Sequence, residues 1–370
     1  MAKIKVNLKE RSYEIIVGSE ILSDLGKLIV DNDWGKDVFI ITDPLVDELY
    51  GDKLRNGLKG LRHQTVTVTR GERYKNLKTA SRLIDELVKY SAHRDSLVIA
   101  LGGGVIGDLA GFVAATYMRG VNLIQVPTTL LAQVDASIGG KTGVNHPECK
   151  NLIGSFYQPK LVYIDINCLS TLPARELRTG LAEVVKYGVI EDSDFFKFLE
   201  DNAHHLNTKA FETSEKMRAS LKVWATIVAE SAKIKARVVE KDETEAGLRM
   251  ILNYGHTIGH AVETLTKYKI YNHGEAVSIG MVAAARIANK LKMLDKDSVS
   301  RIEGLLNKIG LPTLLGKMSC AKISKALAID KKVRAGKIRF VLPEKIGKVT
   351  IYDNVSLNTV ENVLLGMGCK

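Results

Sequence analysis

Short apolar runs alternate with amphipathic segments through the first 170 or so residues, a pattern that predicts strands covered by helices. Lys3–Leu8 and Tyr13–Val17 read as strands around a turn at Glu10–Arg11, Ile21–Val30 as a helix, and Asp37–Asp43 as an apolar strand. A helix over Leu45–Leu58, a strand over Gln64–Thr69, a helix over Leu77–Tyr90 and a strand over Ser96–Ala100 follow. A helix over Leu109–Tyr117, a strand over Asn122–Val126, a helix beginning at Pro127 and a strand over Leu161–Ile166 complete this half. Strands that are apolar nearly throughout, separated by helices, indicate a parallel sheet covered on both faces. Beyond Leu172–Pro173 helical periodicity takes over, at Ala174–Val189, Glu212–Val239, Leu248–Thr264, Gly274–Leu291, Ser298–Ile309, Ala321–Ala328 and Leu357–Leu365. A small hairpin, Lys337–Leu342 with Lys348–Ile351, interrupts it. The expected organisation is an α/β domain over residues 1–172 followed by a mostly helical domain over 173–370.

A length of 370 residues with 45% hydrophobic residues fits two domains with real cores. No apolar run reaches membrane-spanning length, and Met1–Val6 reads as a strand rather than a signal peptide, so a cytoplasmic protein with no membrane partner is expected. Cys149, Cys168, Cys320 and Cys369 have neither metal-ligand spacing nor disulfide density, and reduced thiols are expected. The net charge of +11 is spread along the chain without basic runs interleaved with aromatics. That distribution points away from nucleic acid and toward a small phosphate or carboxylate ligand.

Three loops follow strands of the first half, where ligands of open parallel sheets bind. Leu101-Gly102-Gly103-Gly104-Val105-Ile106-Gly107-Asp108 places glycines at a strand-to-helix junction, where backbone N–H groups and a helix start can meet a phosphate. The alternative is a tight turn with no ligand, since the usual Gly-x-Gly-x-x-Gly spacing is missing. Asp43 closes an earlier strand and suits either a ribose hydroxyl or a helix cap. Gly71-Glu72-Arg73-Tyr74-Lys75 is either a polar connector or part of the same site. In the loop Gly139–Asn151, Lys141, Lys150 and Asn151 can grip a charged, hydroxylated ligand. Its Gly-Lys-Thr lacks the spacing of a triphosphate loop.

In the second half, Arg249, Asn253, His256 and His260 are spaced four, three and four apart, so one continuous helix would carry them as a polar stripe. Two imidazoles at i and i+4 reach one divalent ion, and His273 offers a third nitrogen, without the spacing choosing among them. Gly255 and Gly259 lower helix propensity and leave room beside the stripe. Glu183, among apolar neighbours, is either an ion-pair partner of Lys186 or the oxygen ligand completing a site with His256 and His273. Arg119, Lys235 and the pair Lys331-Lys332 are further cations, each a solvated charge unless an anionic substrate gathers them.

Taken in order, Gly71–Lys75, Leu101–Asp108, Gln125–Leu131, Gly139–Asn151, Leu181–Lys186, Arg249–His260 and Asn272–Glu275 closely resemble the 3-dehydroquinate synthases, within the wider sugar-phosphate cyclase group. The resemblance runs from about residue 10 to the C-terminus. It implies a Rossmann-like NAD-binding domain followed by a metal-binding helical domain. It also implies zinc, or cobalt, on Glu183, His256 and His273, and NAD on Asp43, Glu72, Lys75, Gly103, Gly104, Val105, Asp108, Thr128 and Thr129, with Lys141 and Lys150 nearby. Substrate would be held by Arg119, Asp135, Lys141, Lys150, Asn151, Lys186, Lys235, Arg249, Asn253, His260 and one of Lys331 or Lys332. The implied reaction converts 3-deoxy-D-arabino-heptulosonate 7-phosphate to 3-dehydroquinate and phosphate. It proceeds by transient NAD oxidation at C5, phosphate elimination, re-reduction and intramolecular aldol closure, in the shikimate route to aromatic amino acids. A homodimer is expected on the same grounds. A cyclase for another sugar phosphate shares the NAD and metal logic but needs no carboxylate grip. A polyol dehydrogenase would accumulate NADH, and a basic nucleic-acid binder would hold no ion.

Overall fold

The computed structural model describes residues 1–206, 214–267, 269–316, 318–333 and 338–370, and for 214–219 and 328–333 the backbone only. Packing divides the chain into two compact units, Met1–Leu172 with Trp224–Thr244, and Pro173–Val223 with Glu245–Lys370.

The first unit is built on a seven-stranded sheet. Its strands are β1 (Ala2–Val6), β2 (Tyr13–Gly18), β3 (Asp37–Thr42), β4 (Arg62–Thr67), β5 (Leu97–Gly102), β6 (Asn122–Pro127) and, after the antiparallel hairpin β7 (Lys141–Val144) and β8 (Ile153–Phe156), β9 (Leu161–Asp165). The sheet order is β1-β2-β9-β6-β5-β3-β4, parallel except for the β1/β2 pair. Along β3, Phe39 and Ile41 enter one core while Val38 and Ile40 enter another. This alternation within a continuously apolar strand is what a sheet buried on both faces requires. Helices α1 (Leu25–Asp31) and α3 (Asp52–Gly57), the latter preceded by the short turn α2 (Pro44–Val46), contribute Leu25, Ile29 and Leu54 to one core. Helices α4 (Leu77–Lys89) and α5 (Gly104–Thr116) contribute Leu83, Leu87, Leu109 and Val113 to the other.

Two elements differ from expectation. Helix α5 starts at Gly104 rather than Leu109, so the glycine run supplies the end of β5, the N-cap and the first helical residue. The polar loop Gly139–Asn151 holds β7 and leads into β8, and the two strands approach closely where a Cβ on Gly154 would lie 2.2 Å from the Thr142 carbonyl oxygen.

The second unit contains α6 (Ala174–Ile190), α7 (Ser193–Asp201), the start of α8 (Ser214–Lys241), α9 (His256–Leu265), α10 (His273–Lys290), α11 (Lys296–Lys308), α12 (Cys320–Val333) and α13 (Leu357–Leu365). It also holds the hairpin β10 (Phe340–Lys345) and β11 (Lys348–Tyr352). Helix α10 is central: between Gly274 and Ala288 every residue except Glu275 and Arg286 is buried, as expected for a helix apolar on all sides. The expected starts at Glu212 and Lys337 lie outside the described residues.

Most of α8 groups with the sheet unit rather than with the helical half, where the sequence pattern placed it. The reason lies in side chains that periodicity does not reveal. Lys235 donates to the Asp135 carboxylate at 2.6 Å, Glu240 accepts from the backbone N–H of Asn7, and Glu243 pairs with Arg11 at 2.8 Å. The cysteines also depart from expectation, because Cys320 and Cys369 form a disulfide while Cys149 and Cys168 remain free. Backbone pairing brings that pair together, with Cys320 N–H on the Lys370 carbonyl and Lys370 N–H on the Met318 carbonyl. Among the described residues no helix is long and apolar enough to cross a membrane.

Candidate active site

In the helical unit, Glu183, His256 and His273 come together with one ligand atom from each lying within 4.8 Å of the others. Glu183 sits on α6 and is fully buried; its Oε1 lies 3.5 Å from His256 Nε2 and 3.4 Å from His273 Nε2. Its Oε2 pairs with the buried ammonium of Lys186, one turn further along the same helix. One reading of Glu183, the ion pair with Lys186, is therefore met, and it uses only one of the two oxygens. The lysine stabilises the buried charge, and the other oxygen faces the imidazoles.

His256 is the first residue of α9, preceded by Gly255 in the left-handed region (φ 81°). Its Nδ1 lies 3.1 Å from the Tyr254 carbonyl oxygen, so Nδ1 carries the proton and Nε2 presents a lone pair toward Glu183. Burial pushes this imidazole down to about 3, against the pull of Glu183, and keeps it neutral. His273 opens α10, whose start is fixed by a reciprocal cap between Asn272 and Glu275. Arg175, at the start of α6, grips Glu275 through two contacts of 2.8 and 2.7 Å, so the helices bearing Glu183 and His273 are tied at their ends. Burial alone would lower His273, but the flanking carboxylates of Glu183 and Glu263 outweigh it and hold the imidazole up at about 10. An N2O donor set with one tautomer already fixed fits a divalent ion with an open coordination position.

The expected polar stripe is not one helix. Arg249 and Asn253 lie on a short 3-10 segment, Leu248–Asn253, and the chain breaks at Tyr254–Gly255 before α9 begins. His256 and His260 share a face of α9, with ring centroids 5.4 Å apart. His260 is exposed and stands outside the tight three-residue group, though it falls in a second one with Glu263 and His273. Arg249 is buried, and Asn253 donates to Glu245 at 3.3 Å. The side chains of Lys331 and Lys332 lie outside the described residues.

In the sheet unit, a second group of the singled-out residues forms around Lys75, which is 3% exposed. Its ammonium donates to Asp108 at 2.9 Å and to Asn151 at 2.5 Å, and lies 3.5 Å from Glu72. Asn145, to which the sequence assigned no role, holds Glu72 at 2.8 Å and accepts from Asn151 N–H. Gly103 caps the start of α5 beside Thr129, where an added Cβ would lie 3.0 Å from the threonine methyl, and Val105 follows on the first turn. Thr128 N–H bonds the Gly102 carbonyl at 2.9 Å. Asp43 caps α2 through two backbone N–H groups at 3.1 and 3.2 Å, and Lys235 holds Asp135. Lys141 and Lys150 are exposed at the hairpin. Arg119 is not brought to this group: it follows the 13-residue α5 and is separated from Gly104 by about 20 Å of helix rise.

Burial raises the Asp108 carboxyl and Lys75 draws it back down. Lys75→Met should therefore cost roughly 2–3 kcal/mol at pH 8, below the range for a fully buried pair because Asp108 keeps 22% of its side chain accessible. Without the lysine the folded state binds the Asp108 proton still more strongly than the unfolded chain. The deficit must then narrow as pH falls and Asp108 protonates. Thermal melts of variant and wild type at pH 8 and 5.5 check this, and a deficit that widened on acidification would contradict it.

Residues 65–179 match the family model "3-dehydroquinate synthase N-terminal" and residues 180–333 match "3-dehydroquinate synthase C-terminal". The 3-dehydroquinate synthase of Nostoc punctiforme is 50% identical over 98% of this chain and 99% of its own length. Among solved structures, 2-deoxy-scyllo-inosose synthase complexed with carbaglucose-6-phosphate, NAD+ and Co2+ is 29% identical, with a TM-score of 0.86 over 99% of this chain and 100% of that one. The 2-epi-5-epi-valiolone synthase of Streptomyces hygroscopicus, with NAD+ and Zn2+ bound, is likewise 29% identical, with a TM-score of 0.85 over 98% of each chain. With both halves matched and half of all positions identical to a relative of the same length, the chain belongs to the 3-dehydroquinate synthase family.

Proposed function

We propose that this chain converts 3-deoxy-D-arabino-heptulosonate 7-phosphate to 3-dehydroquinate and phosphate, with residues 1–172 as the NAD-binding domain and 173–370 as the metal- and substrate-binding domain. The observation that carries the reading is the convergence of Glu183, His256 and His273, with the His256 tautomer set for coordination. These three side chains would hold zinc or cobalt. The backbone of Gly103, Gly104 and Val105, with Asp43, Glu72, Lys75, Asp108, Thr128 and Thr129, would hold NAD. When bound, NAD accepts and returns a hydride, and the divalent ion polarises the substrate oxygen beside the reacting carbon.

The chain's own residues bind and orient the substrate and move protons. Lys141, Lys150, Asn151, Lys235 and Arg249 are donors suited to phosphate, carboxylate and hydroxyl oxygens. Asp135 orients Lys235 through the 2.6 Å contact. Lys186 pairs with the buried carboxylate of Glu183 within apolar surroundings. Asn253 offers a carboxamide beside the histidines in sequence, and exposed His260 is the group positioned to pass a proton. Temporary oxidation next to the C6 proton acidifies it, so phosphate leaves far more easily than from an unactivated carbon. Holding the intermediate on preorganised donors protects it until the ring closes. A homodimer in the cytoplasm is the assembly and setting proposed.

The deciding experiment is phosphate release from the heptulosonate phosphate by purified protein with added NAD, with and without a chelator. Stoichiometric phosphate without net NADH, abolished by chelation and restored by zinc or cobalt, is expected. Steady NADH accumulation, or equal release from sedoheptulose 7-phosphate, would sink the reading.

A further inference from the structure

His273 has a carboxylate on each side. Its Nε2 lies 3.4 Å from Glu183 Oε1 and its Nδ1 lies 3.4 Å from Glu263 Oε2. Glu263 is 6% exposed and lies on α9, seven residues and two helical turns after His256, so it shares the face that carries His256 and His260. The imidazole takes part in two possible ion groups, Glu183/His256/His273 and His260/Glu263/His273, with Nε2 toward Glu183 and Nδ1 toward Glu263. An ion would displace one of the protons that the two carboxylates otherwise hold on the ring; the neutral imidazole that remains has one lone-pair nitrogen and one N–H, so it serves one of these groups as ligand and the other as hydrogen-bond donor. His256 resolves the choice by its own arrangement. Its Nδ1 is engaged by the Tyr254 carbonyl, and its Nε2 is turned to the same Glu183 oxygen that His273 Nε2 approaches.

We propose that Glu263 is the positioning residue of this centre, accepting the Nδ1–H of His273 so that its Nε2 lone pair is aimed at the ion held with Glu183 and His256. The inference rests on the reading that those three side chains bind a divalent ion. A carboxylate in this place fixes the ring's rotation and tautomer and raises the basicity of the ligating nitrogen. The loss of such partners weakens metal binding about 10- to 100-fold. Burial of Glu263 agrees with the role, because a carboxylate removed from water needs a donor to hold it.

The test compares wild type, Glu263→Ala and Glu263→Gln as metal-free proteins reloaded with zinc. Affinity is read by chelator competition, stoichiometry by elemental analysis, and ligand geometry by the visible spectrum of the cobalt form. The expected result is one ion per wild-type chain, a 10- to 100-fold loss of affinity in Glu263→Ala and recovery to within a few-fold in Glu263→Gln, whose amide oxygen still accepts the N–H. The cobalt spectrum of the glutamine variant should match that of wild type. Should the alanine variant fail to fold, a glutamine variant that binds one ion tightly with an unchanged spectrum supports the proposal, and one that binds weakly overturns it. Wild-type affinity in Glu263→Ala overturns it too. Two ions in wild type and one in either variant would make Glu263 a ligand instead. If wild type itself holds no stoichiometric ion, the underlying metal reading fails, which is a separate outcome from any of these.

Discussion

His256→Ala is expected to leave the purified chain without stoichiometric metal and without phosphate release. Structural zinc sites bind with about 10–16 kcal/mol across four ligands, so one ligand contributes roughly 3 kcal/mol, on the order of a hundredfold in affinity. The loss here should be at least that large. His256 is one of only three protein ligands in the proposed set, and its removal leaves Glu183, fully buried, facing a single imidazole. Turnover disappears with the ion if coordination polarises the reacting alcohol. The informative contrast is His260→Ala. His260 lies four residues along the same face with its ring centroid 5.4 Å from that of His256 and 6.3 Å from that of His273, but it is exposed and outside the Glu183 group. It should retain one ion per chain while losing about 10²- to 10⁴-fold in turnover, the range for a general acid or base. Elemental analysis after gel filtration, paired with phosphate release, separates the two. An undiminished ion in His256→Ala, or an empty site in His260→Ala, would show that the ligands are wrongly chosen.

The parts of this site legible in the sequence are those where chemistry and periodicity coincide. Glu183 was conspicuous as a carboxylate amid Leu181, Ala182, Val184 and Val185, and its burial on α6 follows directly from those neighbours. The apolar runs at Asp37–Asp43 and Ser96–Ala100 announced strands covered on both faces, and the strands found there, β3 and β5, are. What periodicity could not show was a break. Arg249, Asn253, His256 and His260 keep helical spacing across Tyr254–Gly255, yet Gly255 adopts a left-handed conformation there and two separate segments result. Nor could spacing show that Gly255 and Gly259 make room for α10 rather than for a ligand. A Cβ on Gly255 would lie 2.6 Å from the Met281 side chain, and one on Gly259 would lie 3.2 Å from the Ala276 carbonyl oxygen. Glu263 went unassigned although its seven-residue spacing from His256 places it on the same helical face; the partner that gives it meaning, His273, comes from another helix.

The close crossing of α9 and α10 makes Gly280→Ala a strongly damaging addition of a single methyl group. A Cβ at this position would lie 1.9 Å from the Gly255 carbonyl oxygen and 2.9 Å from the Gly259 nitrogen, both backbone atoms with no rotamer to yield. Reaching ordinary contact near 3.4 Å requires the helices to part by about 1.5 Å, and neither can do so freely. Gly255 is held in its left-handed turn, and α10 is buried nearly all round. Overpacking of this kind costs about 1–3 kcal/mol and sometimes more, while alanine returns up to about 1 kcal/mol of helix propensity. At the top of that overpacking range, less the propensity term, a net loss of roughly 2 kcal/mol, or on the order of 4–8 °C in the melting temperature of the metal-free protein, is expected. The same movement separates His256 on α9 from His273 on α10, so zinc affinity should fall by about tenfold even at temperatures where the fold persists. Gly304→Ala on α11 is the matched control, since its Cβ would enter open space and gains only the propensity term. Its melting temperature should equal or exceed that of wild type. If the two variants melted together and bound zinc alike, the packing of α9 on α10 would not be what holds the two imidazoles in register.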